Sequence, residues 1–228
     1  LFKRLIAAAL FLNLLLILPQ AGNAAAEDKT RLFLVSVGNG DPDNITLKAV
    51  NTIKDSQIVF CRDRTRDKFP ILLQGKEIHD PGFGIFAVYG KTREQFKSNK
   101  RFDYDEKMAQ FEKISRVIRE AVKQEKTVSV LCSGDPTIYG PNMWYMEAFE
   151  DLNPEIVTGV SCFNAANAAL KKGVTSGIDA HSVILTATFG REEYNGPDSI
   201  EKMEENKETM DFFTMFMDME KVVEKLKT

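Results

Sequence analysis

From residue 32 onward, short apolar runs rich in β-branched residues alternate with stretches whose apolar positions recur every three or four residues. "LFLVSV" (32–37), "QIVFC" (57–61) and "TVSVLC" (127–132) read as buried strands. "YDEKMAQFEKISRVIREAVKQEK" (104–126) puts Met108, Phe111, Ile114, Ile118 and Val122 on one side of a helix, with charged residues on the other. "DNITLKAVNTIKD" (43–55) has the same spacing in Ile45, Ala49 and Ile53. "GFGIFAVYG" (82–90), bounded by glycine, reads as strand or loop. Further on come a helix after Tyr139, an "NPE" turn at 153–155 and a short strand. "SCFNAANAALKKG" (161–173) follows as a helix closed by Gly173. "SVILTATF" (182–189) and "TMDFFTMF" (209–216) read as strands, with the acidic helix "DSIEKMEENK" (198–207) between them and the helix "MEKVVEKLKT" after them. Strand and helix alternating in this way predict an α/β protein with largely parallel sheets. "EDLNPE" (150–155) is the best junction between an N-terminal unit (31–153) and a C-terminal unit (154–228).

The first 26 residues break this pattern. Lys3 and Arg4 precede the apolar run "LIAAALFLNLLLILP", and small residues follow it, with Ala24 and Ala26 three and one positions before an expected cut. This order is that of a secretory signal peptide. An uncleaved membrane anchor competes with it, because the run is near bilayer-spanning length. Both readings imply export to a periplasmic or other extracytoplasmic location, with membrane contact only through this segment if it stays attached. Without it the formal charge moves from −3 to −5, since Lys3 and Arg4 are its only charged residues. An acidic chain without a long basic run lacks the electrostatic footprint of a nucleic-acid binder. Cys61, Cys132 and Cys162 are odd in number, which excludes a complete disulfide framework and leaves room for one pair. His79 and His181 have no partner at metal-ligand spacing, so no metal site is expected.

Gly-Asp-Pro occurs twice, in "VSVGNGDPDNIT" and in "LCSGDPTIYG", each time directly after a predicted strand. Glycine at a strand-to-helix turn lets backbone approach a ligand and aims N–H groups at it. The lysine-bearing phosphate loop and the full G-x-G-x-x-G fingerprint are both absent. Asp41 and Asp135 would repel a phosphate, so a cationic or hydroxyl-rich ligand suits these loops better.

Four blocks in order, "VSVGNGDPDNITLKAV" with "QIVFC", "VSVLCSGDPTIYG", "VTGVSCFNAANAAL" and "TMDFFTMFMDMEKVVEKL", make the chain resemble the tetrapyrrole methylases. These enzymes move a methyl group from S-adenosylmethionine to uroporphyrinogen and cobalamin precursors. "SGDPTIYG" is the most specific of the four. The resemblance implies a two-domain α/β fold with a cleft between the domains, here with a shortened C-terminal domain, and a small tetrapyrrole-like substrate; it also suggests a homodimer. It implies cofactor contacts at Gly38, Asn39, Gly40 and Asp41 in the first loop and at Ser133, Gly134, Asp135 and Ile138 in the second. Ser161, Cys162, Thr214 and Met215 complete the set. Asn39 stands where the family usually has Pro, and Thr214 where it commonly has Met.

Methyl transfer requires alignment of the acceptor with the sulfonium and exclusion of water, and a general base helps. Where some members carry an Asp just after the second strand, this chain has Arg62, with Asp63 next to it. Asp63 is then the candidate base, and Arg62 a partner for a substrate carboxylate. Besides an active methyltransferase, two readings remain open: an exported, catalytically lapsed relative binding a tetrapyrrole or another small ligand in the same cleft, and a structural or interaction domain. The resemblance would also bring Cys132 and Cys162 to one cleft, where inert thiols are the default and a disulfide the next reading.

Overall fold

The computed structural model describes residues 30–96, 101–175, 181–187, 199–204, 209–213 and 218–226. The signal-like segment, Thr214 and Met215 lie outside these.

Five strands, β1 (Leu32–Ser36), β2 (Ile58–Phe60), β3 (Glu77–His79), β4 (Val128–Cys132) and β5 (Glu155–Val157), form one sheet in the order β3-β2-β4-β1-β5. Every neighbouring pair is parallel. A parallel sheet is covered on both faces, which is why its central strands read as continuous apolar runs. All five residues of β4 are buried. Its single polar member, Ser129, shares a 2.6 Å hydrogen bond with Ser56, as a hydroxyl without water requires.

Alternate residues build two cores. Leu32, Leu34, Phe60, Val130 and Cys132 pack under α3 (Tyr104–Lys123) and α4 (Trp144–Ala148), the helices that also supply Ile114, Ile118 and Tyr145. Asp103 starts α3 by accepting from the Glu106 N–H at 2.8 Å, satisfying an otherwise orphaned donor. Ile118 is fully buried, and truncating it to Ala costs about 2–5 kcal/mol. On the opposite face Val35, Val59 and Leu131 pack under α1 (Leu47–Asp55) and under Phe69 and Leu73, which follow α2 (Asp63–Lys68). Thr46 caps α1 through the Ala49 N–H at 3.2 Å.

The chain leaving β1 goes to one face and the chain leaving β4 to the other, although β1 and β4 are neighbours. Their carboxyl ends therefore flank a crevice, the usual ligand position in open α/β sheets. Beyond the sheet come α5 (Cys162–Leu170), β6 (Val183–Ala187), α6 (Ile200–Glu204), β7 (Thr209–Phe213) and α7 (Met219–Lys225). β6 and β7 pair in parallel as a separate two-stranded sheet. No helix among the described residues is long and apolar enough to cross a membrane.

Three features sharpen the sequence pattern. "GFGIFAVYG" contains a single 3-10 turn at Ile85–Ala87, entered through Gly84 at φ +99°, and no strand. β5 lies after the expected junction yet pairs with β1, so the first sheet extends past residue 153. Helix α5 closes at Lys171, which takes the left-handed conformation (φ +54°), two residues before Gly173.

Candidate functional site

The two Gly-Asp-Pro loops are joined directly. Beyond the strand ends, the Val37 N–H donates to the Cys132 carbonyl at 2.9 Å and the Gly134 N–H to the Gly38 carbonyl at 2.8 Å. Gly38 and Gly134 form an isolated antiparallel bridge, both with positive φ (+72° and +71°). At Gly38 a Cβ would lie 2.4 Å from the Asn44 carbonyl oxygen, so conformation and space both demand glycine.

Ser36, fully buried at the end of β1, ties three loops together. Its hydroxyl donates to the Gly134 carbonyl and accepts from the Gly38 N–H at 3.4 Å. The loop after β5 crosses so close that a Cβ on Gly159 would lie 2.2 Å from Ser36 Oγ. Asp135 completes this join. Its Oδ1 accepts from the Thr137 N–H (2.8 Å) and hydroxyl (2.6 Å), and its Oδ2 from the Gly159 N–H (3.2 Å). Burial alone would raise the Asp135 pKa, but these three donors outweigh it and hold the carboxyl below its ordinary value of 3.8. Asp135 is therefore held as a carboxylate, and it stands outside the lining of the recess described below.

Ser161 is buried and caps α5, accepting from the Phe163 N–H at 3.2 Å. The backbone nitrogen of half-buried Cys162 is 4.0 Å from the position a Cβ on Gly134 would take, so α5 begins beside the second loop. From that loop Tyr139 stacks on Phe213 of β7, with ring centroids 4.8 Å apart. Ile138, next to it, is 42% exposed.

A recess of about 300 Å³ opens on the first loop. It is lined by Val37, Gly38, Asn39, Gly40 and Asp41 of the first loop, by Ser133 of the second, and by Arg62, Arg64, Thr65, Lys68 and Phe69. Three cations face one acid, Asp41, so the recess suits an anion; the carboxylate-bearing loops had suggested the opposite. Lys68 also fixes the loop tip by donating to the Gly40 carbonyl at 2.6 Å, and Asn44 donates to the Asn39 carbonyl at 2.7 Å. Arg62 lies over the Phe83 ring, 4.9 Å from its centroid.

Ten of the twelve expected cofactor residues are described, and all lie in the joined loops or at the start of α5. Arg62 lines the recess, whereas Asp63 is exposed and paired with Arg66 at 3.0 Å, outside the lining. Sequence reasoning missed Ser36, Gly159, Arg64 and Lys68. Gly159 was visible as the glycine of "VTGVS", but only the close approach to Ser36 shows its purpose. All three cysteines are free thiols. Cys132 is buried in the core, where Asn142 donates to its sulfur at 3.2 Å; burial pushes its pKa to about 12 and that of Cys61 to about 11.

Comparison with known proteins places this geometry. The family model of tetrapyrrole (corrin/porphyrin) methylases matches residues 31–228. The chain is 27% identical over 202 residues to a cobalt-precorrin-4 C(11)-methyltransferase of Methanocaldococcus jannaschii, covering 88% of this chain and 69% of that protein. It is 26% identical over 163 residues to the enzyme of the same name from Priestia megaterium, covering 71% of this chain and 54% of that protein. Its fold resembles a solved cobalt precorrin-4 methyltransferase, a cobalamin biosynthetic enzyme, with a TM-score of 0.66 at 20% identity over 90% of this chain and 77% of that one. The chain thus spans between half and about two thirds of its matched curated relatives. A parallel sheet whose β1 and β4 loops clasp each other, together with a family match over nearly all the described residues, shows that this chain belongs to the tetrapyrrole methylases.

Proposed function

We propose that this chain transfers a methyl group from S-adenosylmethionine to a tetrapyrrole precursor whose ring carries carboxylates. The carrying observation is the juxtaposition of the clasped glycine loops with a recess walled by Arg62, Arg64 and Lys68. The loops fit a bulky nucleoside. A Cβ on Gly40 would find its nearest neighbour 3.9 Å away, and one on Gly134 would find it 4.0 Å away. Side chains there would fill space that the two glycines leave open. Gly38 to Asp41, Ser133, Gly134, Ile138, Ser161 and Cys162 would hold the cofactor, chiefly through backbone. Asp135 acts one step removed by keeping the second loop in place. When bound, the cofactor supplies an electrophilic methyl group on a sulfonium.

The protein's own part is alignment and exclusion of water. Arg62 and Arg64 present forked donors that match carboxylates in geometry as well as charge. Asp63, engaged with Arg66, serves α2 instead of the acceptor in this reading. The matched relatives are named as methyltransferases, and nothing among them favours the catalytically lapsed reading. The test is incubation of the purified chain with methyl-labelled S-adenosylmethionine and reduced uroporphyrin or cobalt-precorrin acceptors. Label in the tetrapyrrole product supports the reading; no label from a chain that binds both ligands refutes it.

A further inference from the structure

Phe83, Phe86 and Phe102 form a triad of rings in edge contact, with centroids 5.9, 5.9 and 5.8 Å apart. The triad lies beyond the carboxyl end of β3, beside the recess, and Arg62 joins the two, since it lines the recess and covers Phe83. Arg101 lies over Phe83 and Phe102, 5.6 and 5.3 Å from their centroids. The Phe86 ring is 44% exposed although its neighbour Ile85 is fully buried. The local backbone is shaped to hold this arrangement. Gly84 has φ +99°, and a Cβ there would sit 2.5 Å from Phe102 Cε1. Arg62 has no ion-pair partner among the described residues.

A core cluster would bury Phe86, and a solvated surface would not gather three phenylalanines under two guanidinium groups. Exposed Phe86, braced by Phe83 and Phe102 under two guanidinium groups, matches a ligand with an apolar body and an anionic rim. We propose that Phe86, braced from behind by Phe83 and Phe102, is the apolar surface against which the acceptor's macrocycle rests, with Arg62 and Arg101 beside it to meet its peripheral carboxylates. This rests on the acceptor being a tetrapyrrole, and it adds the surface that would hold the ring.

The experiment is titration of the whole chain with uroporphyrin, a stable ring rimmed with carboxylates, followed by its absorbance, and in parallel with S-adenosylhomocysteine by calorimetry. Phe86→Ala and Arg101→Gln should each weaken uroporphyrin about tenfold and leave S-adenosylhomocysteine binding unchanged, while Phe86→Tyr keeps the ring and the affinity. Arg101→Gln should also flatten the salt dependence of uroporphyrin binding. Because Phe86 is exposed, unfolding is not the expected result of truncating it, and circular dichroism of each variant checks this. Unchanged uroporphyrin affinity in both variants, or no uroporphyrin binding by the wild-type chain, overturns the inference. So does a dimer that Phe86→Ala dissociates without change in affinity, because the triad would then be a subunit contact. Loss of S-adenosylhomocysteine binding in the wild-type chain would instead refute the methyltransferase reading, whatever the triad does.

Discussion

Replacing Asp135 probes the join that holds the two glycine loops together. Its carboxylate accepts three hydrogen bonds, two from Thr137 and one from Gly159, while only 7% exposed. A hydrogen bond to an ionised group contributes about 1.5–3 kcal/mol net. Thr137 is exposed, so water replaces the carboxylate for its two donors. The half-buried Gly159 N–H has less access to a substitute, and the loops lose their link. Asp135→Ala should therefore cost about 2–4 kcal/mol, and Asp135→Asn about 1–2 kcal/mol, because the amide keeps one acceptor but turns a donor toward a neighbouring donor. Urea denaturation followed by circular dichroism reads this as a lowered midpoint with unchanged slope. The pH dependence adds a sign. The folded pKa of Asp135 lies below its ordinary value of 3.8, so its stabilisation is complete above that value and lost as pH falls through the folded pKa. The gap between wild type and Asp135→Asn should close in acid. Equal midpoints at neutral pH, or a gap that persists in acid, would show that the Asp135 carboxylate does not stabilise the loops.

Other substitutions test separate parts of the account. Gly159→Ala places a Cβ 2.2 Å from Ser36 Oγ; it should destabilise by about 1–3 kcal/mol and weaken S-adenosylhomocysteine binding, with partial recovery in the Ser36→Ala background, all measured by denaturation and calorimetry. Tyr145→Phe removes a buried 2.9 Å bond to the Pro81 carbonyl and should cost about 1–3 kcal/mol by leaving that acceptor unsatisfied. Alkylation mapped by mass spectrometry should modify Cys162 in the native chain and reach buried Cys61 and Cys132 only in urea, since burial holds their pKa values near 11 and 12. Asp211 on β7 has an Oδ2 shielded from water with no partner among the described residues, and burial raises its pKa. The stability this contributes is present below the unfolded pKa and lost as pH rises through the folded one. Asp211→Asn should thus melt higher than wild type at neutral pH and match it in acid.

How far the sequence could be read depended on what each signal measures. The central strands were legible because both faces are buried, so β1 and β4 appear as apolar runs broken only by Ser36 and Ser129. Helix α3 was legible because one side meets the core. β3 is three residues, "EIH", at the sheet edge, and α2 is "DRTRDK" with only Thr65 buried; neither carries periodicity, and neither was anticipated. The clasped loops announced themselves through the repeated Gly-Asp-Pro, but composition could not say which way a carboxylate points. Asp135 and Asp41 look alike in sequence. One is locked onto its own loop and the other faces three cations across the recess. Arg64 and Lys68 were invisible as site residues because their helix has no apolar face to orient it, and only the recess they line and the Lys68 bond to Gly40 show them beside the first loop.

The proposed function requires that the two clasped loops and the start of α5 hold an adenosyl cofactor. Calorimetric titration of the folded chain with S-adenosylhomocysteine measures this. Saturable one-to-one binding that Gly159→Ala and Asp135→Ala weaken is the expected result. A chain that is folded by circular dichroism and gives no heat of binding with S-adenosylhomocysteine would contradict it.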